Sequence, residues 1–466
     1  MLKFFQRISL IHIVLLSVML NLVMYCVIRS WKPDIEKNTI ITSDATGYET
    51  LAENILRYHT FAGKYDTNKI PLSSPLLEPV NLLYNYDTFR GPGYPAFLAM
   101  VYFIAGVKPF AAIFLQILLN IISVILAYRI TLLLFSNTIV ATLTGLLYAM
   151  DVHSIYVANV LYSDTLFIFL FLLSVYYFIS GIQEKSLPKF LTSAVFIGLS
   201  CLTRPVSLLF PIVYVMMVFI FYRNLGRWII KALALFMVIA YSIIGTWAFR
   251  NHTMYGSWQL TTEDKYGLLM FYEAFGEARQ SNLPIDSVRE RLQAECNLSG
   301  CNKLKNPFDR SKICGQVAWK HIRQNKLVFA ETQLWGATHM FLSLGNIDMA
   351  QTLGWASSNV DGQLIMDSQR IGQNFSHAGQ AFLGILIIAV LIVQYIGFLC
   401  GMFYLVKNHK YLIITFSILT ILYFTLITGA VGKYRYKLPM EFVICSIAGY
   451  GWYSVFKANQ KQGYNP

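Results

Sequence analysis

An all-α polytopic membrane bundle of about ten spans, with two long exterior segments, is the fold class this 466-residue sequence predicts. Three observations predict it. The chain is 56% hydrophobic and only 13% charged, whereas a soluble domain carries about 25% charged residues. Apolar runs of roughly 15–25 residues recur along it, and helix is the backbone form that satisfies its own amides in lipid. Basic residues also alternate between loops as membrane orientation requires.

The first run covers residues 8–28 behind Lys3 and Arg7. A cleaved signal peptide has the same basic start, but a small-residue cleavage site is missing and more apolar runs follow, so a retained anchor is expected. The other expected spans are 110–133, 136–150, 160–180, 190–203, 207–222, 228–249, 381–405, 411–429 and 438–456. Residues 93–108 are apolar but would extend only about 24 Å as a helix, so they are read as interfacial. With that reading, twelve basic residues, from Lys3 and Arg7 to Lys457 and Lys461, face the cytoplasm against Glu184 alone. Both termini are then cytoplasmic.

This topology divides the chain into a membrane module at 1–249, an exterior region at 250–380 and a C-terminal membrane region at 381–466. The first exterior loop is 29–109. Charges in the two exterior segments nearly cancel, eight acids to eight bases and twelve to thirteen. The net +13 is therefore mostly membrane orientation, and no basic, aromatic surface for nucleic acid stands out. Residues 48–58 have the spacing of an amphipathic surface helix, and another helix is expected near 330–345. Cys296, Cys301 and Cys314 share the later exterior region, where one disulfide is permitted; a zinc site lacks accompanying histidines there.

Polar residues gather at the expected exterior ends of the spans. Asp44, Tyr48 and Glu49 follow the first span; Arg90, Tyr94 and Pro95 precede the short apolar segment. Asp44 could take a proton from a hydroxyl nucleophile, and the planar fork of Arg90 could orient a phosphate. A satisfied turn or a plain Asp–Arg contact would account for the same spacing. Asp151, His153 and Asp164 form a second group. Asp164 opens a strongly apolar run, where a carboxylate needs water, a hydrogen-bond network, a cation or a metal, or serves as a helix cap. Asp44 and Asp164 together could hold a divalent ion. Arg204, Arg250, Lys433 and Arg435 add exterior-end cations that could neutralise a phosphate leaving group, or singly anchor helix ends.

Five motifs occur in order: Asp44-Ala45-Thr46-Gly47-Tyr48, Arg90-Gly91-Pro92-Gly93-Tyr94-Pro95, Tyr162-Ser163-Asp164-Thr165-Leu166, Leu202-Thr203-Arg204-Pro205 and Lys433-Tyr434-Arg435-Tyr436-Lys437-Leu438-Pro439. In them the chain resembles the GT-C membrane glycosyltransferases, especially bacterial members related to protein O-mannosyltransferases and aminoarabinose transferases. The resemblance implies a polyprenyl-phosphate sugar donor held among membrane lipids and transfer on the non-cytoplasmic face of a bacterial inner membrane. It implies Asp44 as the catalytic carboxylate and Asp164 as an acceptor-side or metal-associated one. Arg90, Tyr94, Arg204, Arg250, Lys433 and Arg435 become donor-phosphate residues, and Tyr48 and Glu49 acceptor-side residues. Direct displacement would invert the anomeric configuration. Ala45 departs from the adjacent acidic pair of the protein O-mannosyltransferases, which leaves glycan, glycolipid and protein acceptors open. A transporter, or a lipid-linked polysaccharide polymerase or ligase, is the alternative function.

Overall fold

The computed structural model describes residues 2–28, 43–63, 85–222, 226–353 and 378–462. Arg223 and parts of both expected exterior segments lie outside the described residues. The chain opens with α1 (Leu2–Arg7) and α2 (Leu10–Ile28), followed by α3 (Ser43–Tyr58). A two-stranded antiparallel bridge, β1 (Ala62–Gly63) with β2 (Asn85–Tyr86), pairs Ala62 with Tyr86. Then come α4 (Gly93–Ala105), α5 (Pro109–Phe135), α6 (Thr138–Ala149), α7 (Val152–Ala158), α8 (Asp164–Gln183), α9 (Leu187–Thr203), α10 (Phe210–Phe221) and α11 (Arg227–Tyr255). After α11 lie α12 (Glu263–Gly267), α13 (Ala274–Ser281), α14 (Ile285–Leu298), α15 (Pro307–Gln324), α16 (Lys326–Leu342) and α17 (Asn346–Thr352). The chain ends with α18 (Ala378–Lys407), α19 (Tyr411–Thr428) and α20 (Leu438–Gln462).

This is an all-α, multi-span membrane protein; the described residues do not confirm the expected count of ten spans. Six helices among the described residues are long and apolar enough to cross a membrane, or seven when α6 and α7 count as one span bent by 57°. The bend has a local cause. Asp151 leaves the helix with extended backbone and caps α7, accepting from the Ser154 amide at 2.8 Å. One apolar run therefore becomes two short helices. The helices α4, α9 and α10 are apolar but short. The 13-residue α4 spans only about 20 Å at the ordinary helical rise.

Burial sorts the helices by place. The apolar stretch of α8 is 72% buried and that of α2 22%, so α8 is the central post and α2 faces lipid. Around α8, Phe171 meets Phe210 and Phe424 edge-on at 4.7 and 5.3 Å, and Phe178 stacks on Tyr214 at 3.9 Å. Such rings fill the interior by dispersion where lipid provides no hydrophobic drive between helices. The helices α12–α15 build a second, smaller core from Tyr266, Leu269, Met270, Phe275, Val288, Leu292 and Val317. The stretch expected to be helical near 330–345 is α16. Cys296, Cys301 and Cys314 are free thiols. Cys296 and Cys314 are nevertheless neighbours, with sulfurs 3.5 Å apart.

Candidate active site

Asp44 lies in the first turn of α3, where the helix N-terminus favours a carboxylate. Its neighbour Ala45 is fully buried, whereas the Asp44 side chain is 47% exposed. Arg435 reaches it from the connection between α19 and α20, donating from both terminal nitrogens to Asp44 Oδ2 at 3.3 and 3.2 Å. Burial pushes the Asp44 carboxyl up, but Arg435, Arg90 and Lys433 outweigh it and hold it below the usual range.

The placement of Arg90 follows from its own loop. Asp87 is buried and accepts from the backbone amides of Phe89 and Arg90 at 2.8 Å each, and from the Arg90 guanidinium at 3.2 Å. That guanidinium lies across Gly47, where any added Cβ would collide with it, and over the Tyr48 ring at 5.5 Å. Two other glycines bring the loop to Arg204. Gly91 packs on the Leu202 carbonyl, and a Cβ on Gly93 would stand 2.8 Å from the Thr203 Cα. The Arg90 turn thus seats on the end of α9, one residue before Arg204.

Arg204 is paired with Asp164 at the start of α8, and its guanidinium lies over Tyr436 at 5.2 Å. Tyr436 also receives Arg435, at 5.5 Å, while Tyr162 receives Arg435 at 4.9 Å. The segment bearing Arg435 is held from behind. His153 stacks on Tyr434 with centroids 4.7 Å apart, and His339 Nδ1 bonds the Gly432 carbonyl at 2.6 Å.

Asp44, Arg90, Asp164, Arg204, Lys433 and Arg435 therefore gather at one end of the bundle, with Tyr48 among them. Tyr48 donates to Ser163 Oγ at 3.4 Å, and burial beside Asp44 pushes its hydroxyl up to about 12. Three expected site residues point elsewhere. Tyr94 is fully buried, donates to Gln116 at 2.5 Å and meets Tyr48 edge-on at 4.8 Å; it supports Tyr48 from behind. Glu49 accepts from Tyr102 at 2.9 Å, which ties α3 to α4. Arg250 sits within α11, stacks on Trp247 at 4.6 Å and donates to Asn251 and to the Asp87 carbonyl, bracing the Arg90 loop.

The expected group of Asp151, His153 and Asp164 also separates. Asp151 and His153 are 1% exposed inside the bundle, and Lys437, counted with the basic patch, is fully buried against Glu441 at 3.1 Å. Asp44 and Asp164 are each held by an arginine. Among the described residues, the only three Asp, Glu, His or Cys side chains close enough to hold a metal together are Glu273, Glu277 and His321, between α12 and the end of α15.

Glu263 escaped the sequence reading. The Thr262 amide donates to the Thr88 carbonyl at 2.8 Å, which lays the start of α12 beside the Arg90 loop. Glu263 opens to solvent on one side. Its carboxyl is raised by burial, further raised by Asp44, and opposed by Arg204, Arg90 and Arg435. One signal was available: an acid beginning a helix just after a span. Its fold partner, more than 170 residues earlier, was not.

Residues 90–247 match the family described as dolichyl-phosphate-mannose-protein mannosyltransferase. The matched stretch contains Arg90, Tyr94, Asp164 and Arg204, and Asp44 and Arg435 join it through the contacts above. No curated protein matches the chain significantly. Among solved structures, the chain is similar to the oligosaccharyltransferase of Archaeoglobus fulgidus, with 13% identity, a TM-score of 0.49, and 95% of this chain aligned to 49% of that one. It is also similar to ArnT from Cupriavidus metallidurans bound to undecaprenyl phosphate, with 13% identity, a TM-score of 0.40, and coverage of 94% and 77%. The chain thus spans about half the length of the archaeal enzyme.

Proposed function

We propose that this protein transfers a sugar from a polyprenyl-phosphate donor to the hydroxyl of a glycan, glycolipid or protein acceptor, with inversion. The reaction takes place on the non-cytoplasmic face of a bacterial inner membrane, with both chain termini cytoplasmic. The observation that carries this reading is the ring of cations around one solvent-facing carboxylate: Arg435 bonded to Asp44, with Arg90 and Lys433 acting on it electrostatically. The name of the family matched by residues 90–247 supports the same donor chemistry.

The electrostatics couple donor binding to base strength. Alone, Asp44 is a weak proton acceptor, because its cations stabilise the charged form. A donor phosphate draws on the same cations: Arg90 beside Asp44, and Arg435, whose buried Nε has no hydrogen-bond acceptor among the described residues. As the phosphate takes their charge, Asp44 regains basicity next to the acceptor hydroxyl. The guanidiniums then stabilise the phosphate as it departs from the anomeric carbon. A divalent ion on Asp44 and Asp164 would have to displace Arg435 and Arg204, so the phosphate charge is assigned to the arginines. Glu263 supplies the second carboxylate near Asp44 that Ala45 does not.

The test incubates purified protein with a panel of polyprenyl-phosphate and polyprenyl-pyrophosphate sugars and with candidate acceptors, followed by mass analysis of products. Transfer of one sugar from a monophosphate donor supports the proposal. Use of a completed oligosaccharide on pyrophosphate points to polymerase or ligase chemistry, and substrate movement across vesicles without transfer points to a transporter.

A further inference from the structure

A second polar site lies among the helices α12–α15. Glu273 ends a π-helical turn, Leu268–Glu273, and Glu277 follows four residues later on α13. That spacing sets both carboxylates on one helix face. His321 approaches from the last turn of α15. One ligand atom from each of the three lies within 4.8 Å of the others. They line a cavity of about 500 Å³ together with Tyr272, Gly276 and Arg291.

Two observations beyond proximity point to a cation. The Glu273 side chain is only 10% exposed, and no hydrogen bond to its carboxylate is found among the described residues; His321 Nδ1 lies 3.7 Å away and Arg291 also acts on it electrostatically. A carboxylate buried this far normally finds donors. Glu277 gives one oxygen to Arg291, while its Oε2 is buried with no hydrogen-bond partner. The second observation concerns the imidazole. His321 Nε2 lies 2.8 Å from Glu295 on α14, and Lys320 Nζ lies 2.9 Å from the other oxygen of that carboxylate. Glu295 accepts only, so Nε2 carries the hydrogen, which leaves Nδ1, on the Glu273 side, as the nitrogen open to an ion. A carboxylate behind a metal-binding histidine fixes its tautomer in this way.

We propose that Glu273, Glu277 and His321 bind a zinc ion that clamps α13 to α15, with Glu295 orienting His321. Imidazole with two carboxylates suits zinc better than calcium or magnesium, which take all-oxygen shells. Two carboxylates supply counter-charge to the ion, Glu277 sharing its own with Arg291. Ligands on tetrahedral zinc stand roughly 3.3–3.6 Å apart, given bonds of about 2.0–2.2 Å, so rotamer changes of Glu273 and Glu277 close the site. A water completes the shell from the cavity.

The experiment uses untagged full-length protein in detergent, stripped of metal, with zinc chloride titrated against a chromogenic chelator. Wild type and Asp44→Asn are expected to bind one equivalent at micromolar or tighter affinity. Glu273→Gln and His321→Ala are expected to lose at least 10-fold in affinity, and Glu295→Gln about 10-fold or more. Zinc should raise the Tm of wild type and leave that of His321→Ala unchanged. Circular dichroism checks each fold, and Glu277→Gln replaces any variant that does not fold. Absence of stoichiometric zinc on wild type, equal affinity in the folded triad variants, or loss of the zinc in Asp44→Asn would each overturn the proposal.

Discussion

Arg435 places both terminal guanidinium nitrogens on a single oxygen of Asp44, at 3.3 and 3.2 Å. The contact joins the last inter-helix connection to the first turn of α3, residues 391 positions apart. Arg435→Lys keeps the charge and loses the fork. Charge-assisted hydrogen bonds contribute about 1.5–3 kcal/mol, so kcat/KM for the polyprenyl-phosphate donor should fall by about 10–100-fold with Tm little changed. Steady-state kinetics with varied donor reads this directly; unchanged kcat/KM would remove Arg435 from the donor site.

Gly47 exists where the Arg90 guanidinium crosses the helix. Gly47→Ala fits α3 and improves its helix propensity, but it pushes Arg90 aside. The expected result is a Tm equal to or above wild type with donor kcat/KM reduced roughly 10-fold, the low end of the same range. Equal activity would mean that Arg90 does not need this position.

The pH dependence follows from the sign of the Asp44 shift. Its folded-state pKa lies below the unfolded value, so its contribution to stability is present above the unfolded pKa of about 3.9 and is lost as pH falls through the folded pKa. The acid limb of kcat/KM, which reports free enzyme, should therefore lie below the ordinary aspartate range. The limb of kcat should lie higher, because bound phosphate offsets the cations. Glu263 shifts the other way: its carboxyl is raised, so wild type loses stability relative to Glu263→Gln as pH rises through the folded pKa. Rate profiles and unfolding curves from about pH 2 to 8, which bracket the ordinary carboxylate range on both sides, check both directions.

Lys437 and Glu441 form a fully buried pair at 3.1 Å beside Asp151. Removing one partner from such a pair costs about 3–5 kcal/mol, whereas replacing both by apolar groups is often neutral. Lys437→Met should lower the Tm sharply, and Lys437→Met with Glu441→Leu should recover part of it. A single variant as stable as wild type would contradict this reading.

Much of this was legible in local pattern. The amphipathic spacing over residues 48–58 anticipated α3, and the short apolar run at 93–108 anticipated α4 as a helix too short to span. Pairing was not legible, because it depends on which helix ends meet. Nothing near Asp164 indicates that Arg204 is its partner, or that Lys437 turns inward while Arg435, two residues earlier, turns toward Asp44. Tyr94 reads as an interfacial tyrosine until Gln116 takes its hydroxyl. The stretches expected as spans at 136–150, 190–203 and 207–222 are the short helices α6, α9 and α10, because hydropathy marks an apolar run without fixing where its helix ends.

The most direct measurement is the single-turnover rate of sugar transfer by Asp44→Asn. The substitution keeps the shape, the helix position and an oxygen for Arg435, and removes the charge and the proton-accepting capacity. General-base catalysis contributes about 10²–10⁴-fold. The account predicts a loss of that size at saturating polyprenyl-phosphate sugar, with donor affinity equal to or tighter than wild type because the cations are freed. A rate within a few-fold of wild type, from a variant with unaltered Tm, would contradict it.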